Sequence, residues 1–421
     1  MPVADATTEV STPVYLKALV PIVEKIVDPL AVEIDREGRY PAEAIEALGE
    51  AGLLGLVTAE GLGGMGESHR AATLVVEELA RHCGSTAMVV LMHYAGAAVV
   101  EAFGPKPLRR QIGEGKFVTT LAFSETGSRS MFWVPEGTAT PSEDGETVRL
   151  DGQKSWVTSA SQADGYVWSS LPAHGDGRST LWMVPTQRSG TQPAQRSGTE
   201  PVGTAGLTVG TEPAQRSGAE PAGTAGLTVG EPFDGMGLRG NDSRPVTADG
   251  VEVPADAMLG PDGGGFDIML GLVLPYFQLM SAGFSVATAD DSTLKAAAHA
   301  GSARFEHLDQ SLAENLLIRS NVARMRIKTD QAWTLLLDAI AALETERQDA
   351  ILRVLEVKAA AAEMALEVTE LAMRVCGGTG FKRELGVERH FRDARAAGVM
   401  APTTDTLYDF LGRLLCGLPL F

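Results

Sequence analysis

Cysteine is scarce in this chain. Its three residues, Cys83, Cys376 and Cys416, are far apart and form no CxxC pair. That argues against a disulfide framework or a thiolate zinc site and for buried or idle thiols. The seven histidines show no HxxxH or HExxH spacing, so no metal site is expected. Positive charge is in deficit: 35 Lys and Arg stand against 54 Asp and Glu, a formal charge of −19. So acidic a chain has no electrostatic reason to seek the phosphate backbone of nucleic acid, although one basic pocket for a phosphorylated ligand remains compatible with it. The start, MPVADATTEVSTP, has no basic segment followed by an apolar core and does not read as a signal peptide. Apolar stretches are interrupted by Gly, Asp or His before bilayer length, so no membrane span and a soluble, cytoplasmic protein are expected.

What is present suits a globular enzyme. The apolar share of 44% is ordinary, and 421 residues suggest two or three domains. From Val14 to Phe103 the pattern is helical. Strong helix formers fill Glu43–Leu48, with Gly49 and Gly52 near the end. Ala72, Val75, Val76 and Leu79 recur at helical spacing after the turn at Gly61–Gly66, and Ser85 to Phe103 reads as a buried helix. From Phe117 the texture changes. Thr119–Phe123, Thr147–Leu150 and Tyr166–Trp168 are short strand-like runs, and Asp144-Gly145 and Asp151-Gly152 are hairpin signals. After Gly260 the chain is helical again, with Leu352, Leu355, Ala359, Ala362, Leu366 and Met373 on one face of a helix that Gly377-Gly378 ends.

Residues 193–210 and 213–230 are near-identical copies at a period of 20, preceded by a partial copy at Gln187–Gln192. Two copies are too few for a solenoid. The segment 187–230, rich in Gly, Thr and Pro, is expected to lengthen a surface loop, with a ligand-specific lid as the functional alternative.

Three motifs in order carry a family resemblance. The first runs from Gly55-Leu56 through Gly63-Gly64-Met65-Gly66 to Glu77-Glu78-Leu79-Ala80. The second is Gly235-Met236-Gly237-Leu238-Arg239-Gly240-Asn241 with Val251-Glu252-Val253-Pro254. The third is Cys376-Gly377-Gly378-Thr379-Gly380-Phe381 with Val387-Glu388-Arg389-His390-Phe391-Arg392-Asp393-Ala394. Together they resemble the acyl-CoA dehydrogenase family. The resemblance implies an α+β chain: an N-terminal helical domain (1–117), a middle antiparallel β domain (118–255) and a C-terminal four-helix bundle (256–421). It also implies FAD between the β domain and the bundle, an acyl-CoA or acyl-carrier-protein thioester as substrate, an electron acceptor or flavin reductase, and a homo-oligomer, dimer or tetramer.

The resemblance assigns site residues position by position. Where the family reads Thr-Glu-Pro-Gly-Ala-Gly-Ser-Asp, this chain has Ser124-Glu125-Thr126-Gly127-Ser128-Arg129-Ser130-Met131. Ser124 keeps a hydroxyl for the flavin pyrimidine edge and Ser130 one near the pyrophosphate. Gly152-Gln153-Lys154-Ser155-Trp156-Val157-Thr158 is similar to the family's Gly-x-Lys-x-Trp-Ile-Thr strand. Trp156 then covers one flavin face and Thr158 bonds near the reactive nitrogen; plain core packing is the other reading of a strand tryptophan. Gly377 and Gly378 match backbone close to a neighbouring subunit's cofactor, besides ending a helix. Thr403 matches a threonine near the cofactor phosphates. Arg304 matches an arginine that meets the pyrophosphate, or is a solvated surface residue.

The family's catalytic carboxylate has no counterpart. A general base contributes roughly 10²–10⁴-fold. Its usual position, after the Phe-Arg-Asp-Ala motif, is Ala401. The alternative on an earlier helix, after Gly264-Gly265-Phe266, is Pro275, followed by Tyr276 instead of the usual arginine. Asp405 is the nearest acid on the same segment, with a helix N-cap as its plainer role. Glu125 lies by the flavin motif, where it is a common structural residue. Three readings follow: dehydrogenation with a relocated base, flavin-dependent monooxygenation on the same fold, or thioester and flavin binding without turnover.

Overall fold

The computed structural model describes residues 12–129, 131–186 and 224–421. Residues 187–223 of the loop expected over 187–230, and the role given to Ser130, lie outside the described residues. The first part is helical: α1 (Val14–Ile22), a π-helical turn at Val23–Val27, α2 (Asp28–Glu37), α3 (Ala42–Glu50), α4 (His69–His82), α5 (Gly84–Phe103) and α6 (Lys106–Gly113). The apolar stripe of α4 is buried, as its spacing requires. In α5, Gly84–Leu91 and His93–Val100 are buried. Inside α5's packing, His93 Nδ1 accepts the Thr119 N–H at 3.2 Å while Nε2 donates to Leu54 O at 2.8 Å. Burial pushes its pKa down to about 4, so the ring is neutral in this tautomer.

The middle part holds β1 (Thr119–Ala122), β2 (Thr138–Pro141), β3 (Thr147–Val157), β4 (Gly165–Ser170), β5 (Thr180–Pro185), β6 (Leu227–Val229) and β7 (Arg244–Pro254). One sheet has the order β1-β4-β5 and the other β2-β3-β7-β6. The pairing is antiparallel except for β1 with β4, which run parallel, Thr119 opposite Gly165. Asp144-Gly145 forms the expected turn, with Gly145 at φ 73°. Asp151-Gly152 does not: β3 continues through it, and the register against β7 shifts between Leu150 and Gly152. The dipeptide makes a bulge inside one long strand instead of joining two. The repeat expectation also needs trimming. Leu227–Val229, at the end of the second copy, pairs with β7 as a sheet strand. Thr224 Oγ1 donates to Pro185 O at 2.7 Å, so the chain rejoins the sheet beside the end of β5.

The third part comprises α7 (Gly265–Ile268), a π-helical turn at Met269–Val273, α8 (Leu274–Ser302), a small hairpin β8 (Arg304–Phe305) and β9 (Gln310–Ser311), then α9 (Leu316–Glu344), α10 (Ala350–Cys376), α11 (Val387–Val399) and α12 (Thr404–Leu415). Helices α8, α9 and α10 share a core through Leu279, Met325, Leu336 and Val368. α4 packs on α8 where Gly283 approaches it: a Cβ there would lie 3.0 Å from Thr73 Cγ2. Two helical spans, Gly84–Phe103 and Gly265–Ser302, are long and apolar enough to cross a membrane, contrary to the interruption expected from sequence. Their apolar windows are 78% and 83% buried inside the protein, which is the environment of a core helix.

Candidate active site

A cavity of about 890 Å³ opens between the β sheets, α5, the start of α8 and the α11–α12 junction. Its two sides differ in chemistry. The β side offers the hydroxyls of Ser124, Thr126, Ser155, Thr158 and Ser243, and the helical side the apolar groups of Met88, Met92, Phe277 and Met400. A local irregularity in β3 aims the polar wall. The register against β7 shifts again between Lys154 and Val157, so that Ser155 and Trp156 both face the cavity while Lys154 and Val157 are buried. Trp156 is 56% exposed and meets Phe233 edge-on at 5.0 Å. Thr158 is buried, its hydroxyl 3.3 Å from that of Ser243.

Glu125 lines the cavity, yet its carboxylate is committed. It pairs with the Lys154 ammonium and accepts the N–H of Glu136 at 2.6 Å and of Gly137 at 3.2 Å. Lys154 also donates to Ser169 O at 2.7 Å, and burial pushes its pKa down to about 8, against the pull of Glu125. This pair braces the floor of the site; it is not a free proton acceptor.

Ala401 and Thr403 line the cavity on the opposite side. Their segment hangs from Lys358 of α10, whose Nζ donates to Met400 O at 2.9 Å and Pro402 O at 2.8 Å. Burial pushes the Lys358 pKa down to about 7. Thr403 caps α12, its hydroxyl accepting the Thr406 N–H at 3.3 Å. The cap is therefore Thr403 and not Asp405, which sits exposed in the first turn and is not among the lining residues. Pro275 is buried at the start of α8 and does not line the cavity, although Leu274 and Phe277 do. Tyr276 stacks on His69 at 3.9 Å, and burial raises its phenol to about 12.

The second and third motifs meet beside the cavity. Asp393 Oδ1 accepts the Leu238 N–H at 2.7 Å, and Arg392 reaches Met236 O at 2.9 Å and both oxygens of Asp35 at 2.8 and 2.6 Å. Gly237 must be glycine, because a Cβ would lie 2.6 Å from Arg392 O. Three residues assigned by resemblance lie elsewhere. Arg304 is in the β8–β9 hairpin, paired with Asp309 at 2.6 Å. Gly377 and Gly378 end α10 in the open, where an added Cβ meets nothing within 4 Å. Neither group lines the cavity of the single chain.

Residues 16–114 match the profile described as acyl-CoA dehydrogenase, N-terminal domain, and residues 263–415 match acyl-CoA dehydrogenase, C-terminal domain. This chain belongs to the acyl-CoA dehydrogenase family. Among curated members, the mitochondrial short-chain specific acyl-CoA dehydrogenase of Bos taurus is 27% identical over 390 residues, covering 91% of this chain and 84% of that protein. Cyclohex-1-ene-1-carbonyl-CoA dehydrogenase of Syntrophus aciditrophicus is 26% identical, over 92% of this chain and 85% of its own. The solved structure of butyryl-CoA dehydrogenase from Megasphaera elsdenii superposes with a TM-score of 0.81 at 23% identity, covering 96% of this chain and 97% of that one. The acyl-CoA dehydrogenase fold is thus established. Of the five hydroxyls on the polar wall, the sequence assigned roles to Ser124 and Thr158 and none to Thr126, Ser155 or Ser243; Lys358, Asn241 and Phe233 also received none. Phe233 carries a local signal, an aromatic just before the second motif; Lys358 carries none.

Proposed function

We propose that this family member is an FAD-dependent oxidoreductase acting on an acyl thioester, carried by CoA or by an acyl carrier protein. The supporting observation is the half-exposed Trp156 on the wall of a two-faced cavity. An indole left 56% exposed beside a ring of hydroxyls is a surface waiting for a flat, partly polar ligand. The residues present fit a flavin. Trp156 would cover one face and keep water from it, Ser124 and Thr158 would supply hydrogen bonds along the polar edge, and Thr403 would serve the phosphates. When bound, the flavin supplies a two-electron acceptor for hydride from the acyl β-carbon. Ser130, Arg304, Gly377 and Gly378 are assigned to the pyrophosphate and to the cofactor of a neighbouring subunit. A homo-oligomer is consistent with Phe381, 78% exposed just past those glycines.

On this reading the chain performs α,β-dehydrogenation without the family's glutamate. With alanine at 401, a substrate's α-proton would meet no carboxylate on the part of this segment that lines the cavity, because Asp405 is exposed outside it. One observation favours a second reading, monooxygenation with reducing equivalents from a separate reductase. Among the described lining residues the only carboxylate is Glu125, locked to Lys154. Monooxygenation requires no acceptor for an α-proton. The test is a visible spectrum of the purified protein, then anaerobic titration with a panel of acyl-CoAs. Bleaching of the flavin supports dehydrogenation and removes the second reading. Protein that never carries flavin removes both.

A further inference from the structure

Arg129 stands out once the charges around the cavity are paired off. The charged residues among the described lining are Glu125 and Arg129, and Glu125 is neutralised by Lys154. Other guanidinium groups nearby are occupied: Arg239 with Asp234 at 2.9 Å, Arg244 with Asp242 at 2.5 Å, Arg392 with Asp35 at 2.6 Å. Arg129 is exposed and makes no hydrogen bond or ion pair among the described residues. Its backbone is also out of the ordinary. Arg129 sits at φ 48°, the left-handed region that costs a side chain-bearing residue about 1 kcal/mol relative to glycine. Strain of this kind gathers at binding sites, where an interaction offsets it.

Resting on the reading above, we propose that Arg129 is a phosphate-binding residue at the mouth of the cavity. A planar guanidinium presents a fork of N–H donors matched to phosphate oxygens. Both ligands of the proposed function carry that group: the flavin dinucleotide in its pyrophosphate, the thioester in its phosphopantetheine arm. The protein as a whole carries −19, so a phosphorylated ligand approaches against an unfavourable field. A single unpaired cation at the cavity mouth counters that field locally.

The test uses the full chain with Arg129→Gln, Arg129→Lys and Arg129→Gly. One arm measures the dissociation constants of FAD and riboflavin on deflavinated protein. The other measures the change in the flavin spectrum on adding butyryl-CoA or the phosphate-free S-butyryl-N-acetylcysteamine. Arg129→Gln and Arg129→Gly should weaken the phosphate-bearing ligand of one arm by about tenfold or more, and leave its phosphate-free counterpart unchanged. Arg129→Lys should fall between, and the difference should shrink as salt rises. The arm that moves names the source of the phosphate. Arg129→Gly relieves the left-handed strain, so its melting temperature should hold or rise while its affinity falls, which a folding defect cannot produce. Equal losses for both members of a pair, or no loss in either arm, overturn the proposal. Wild-type protein that binds neither FAD nor thioester overturns it together with the reading beneath it.

Discussion

The Asp393 carboxylate holds the Leu238 backbone N–H at 2.7 Å across 155 residues of chain. That contact joins the second and third motifs in the folded chain. Asp393→Ala leaves a buried N–H without an acceptor, and should lower stability by about 1–3 kcal/mol in addition to the cost of the void. Asp393→Asn keeps an acceptor oxygen and should lose much less. Chemical denaturation of the two variants checks the difference.

The same group makes stability depend on pH. Burial holds the Asp393 carboxyl up at about 6. Between its unfolded value, about 4, and that folded value the native state keeps a proton that the unfolded chain releases. The stability it contributes is full below pH about 4 and is lost as pH rises through 6. Asp393→Asn should flatten that segment of the stability–pH curve. A curve of unchanged slope refutes the assignment.

Glu125 and Lys154 should behave as a unit. Removing one member strands the other's buried charge or donor, at about 3–5 kcal/mol. Glu125→Gln should therefore be strongly destabilising, and Glu125→Gln/Lys154→Met should recover most of the loss. A double-mutant cycle that gives additive effects contradicts the pairing.

Lys358 carries the 400–403 segment on two carbonyl bonds. With its pKa pushed down to about 7, the folded state binds fewer protons than the unfolded chain between about pH 7 and 10.4. The group's contribution to stability therefore rises with pH across that window. Lys358→Met should remove that rise and speed amide exchange at Thr403 and Thr404. Exchange at wild-type rates excludes a supporting role.

Ala401 lines the cavity, and the family resemblance puts the usual carboxylate at this position. If only that group is missing, Ala401→Glu should raise the rate of anaerobic flavin reduction by an acyl-CoA by roughly 10²-fold or more. Stopped-flow absorbance reads this directly. No gain means that the thioester lies elsewhere or that the chemistry is different.

Elements whose signals are local were legible from sequence. The Ala72–Leu79 stripe marks α4, and Gly377 closes α10. Signals with two local meanings misled. Asp151-Gly152 suits a hairpin or a bulge, and only the pairing partner β7 decides which. The Thr403–Thr406 stretch contains several good capping residues, and Thr403 takes the cap that the spacing gave to Asp405. What was not legible is long-range. Glu125 finds Lys154 at 29 positions' distance, and Lys358 reads as an ordinary helix lysine until the chain returns over it 42 residues later.

The bond from Thr224 to Pro185 has an evolutionary corollary. The segment between them leaves from the end of β5 in one sheet and returns at β6 in the other, and the bond holds its two ends together. For a flexible chain closed between two such points the cost grows only with the logarithm of its length, so one more 20-residue unit would add about 0.4 kcal/mol. The Leu-Thr-Val that forms β6 at residues 227–229 has a sequence copy at residues 207–209. Replication slippage can thus add or delete copies while the edge strand is re-supplied each time.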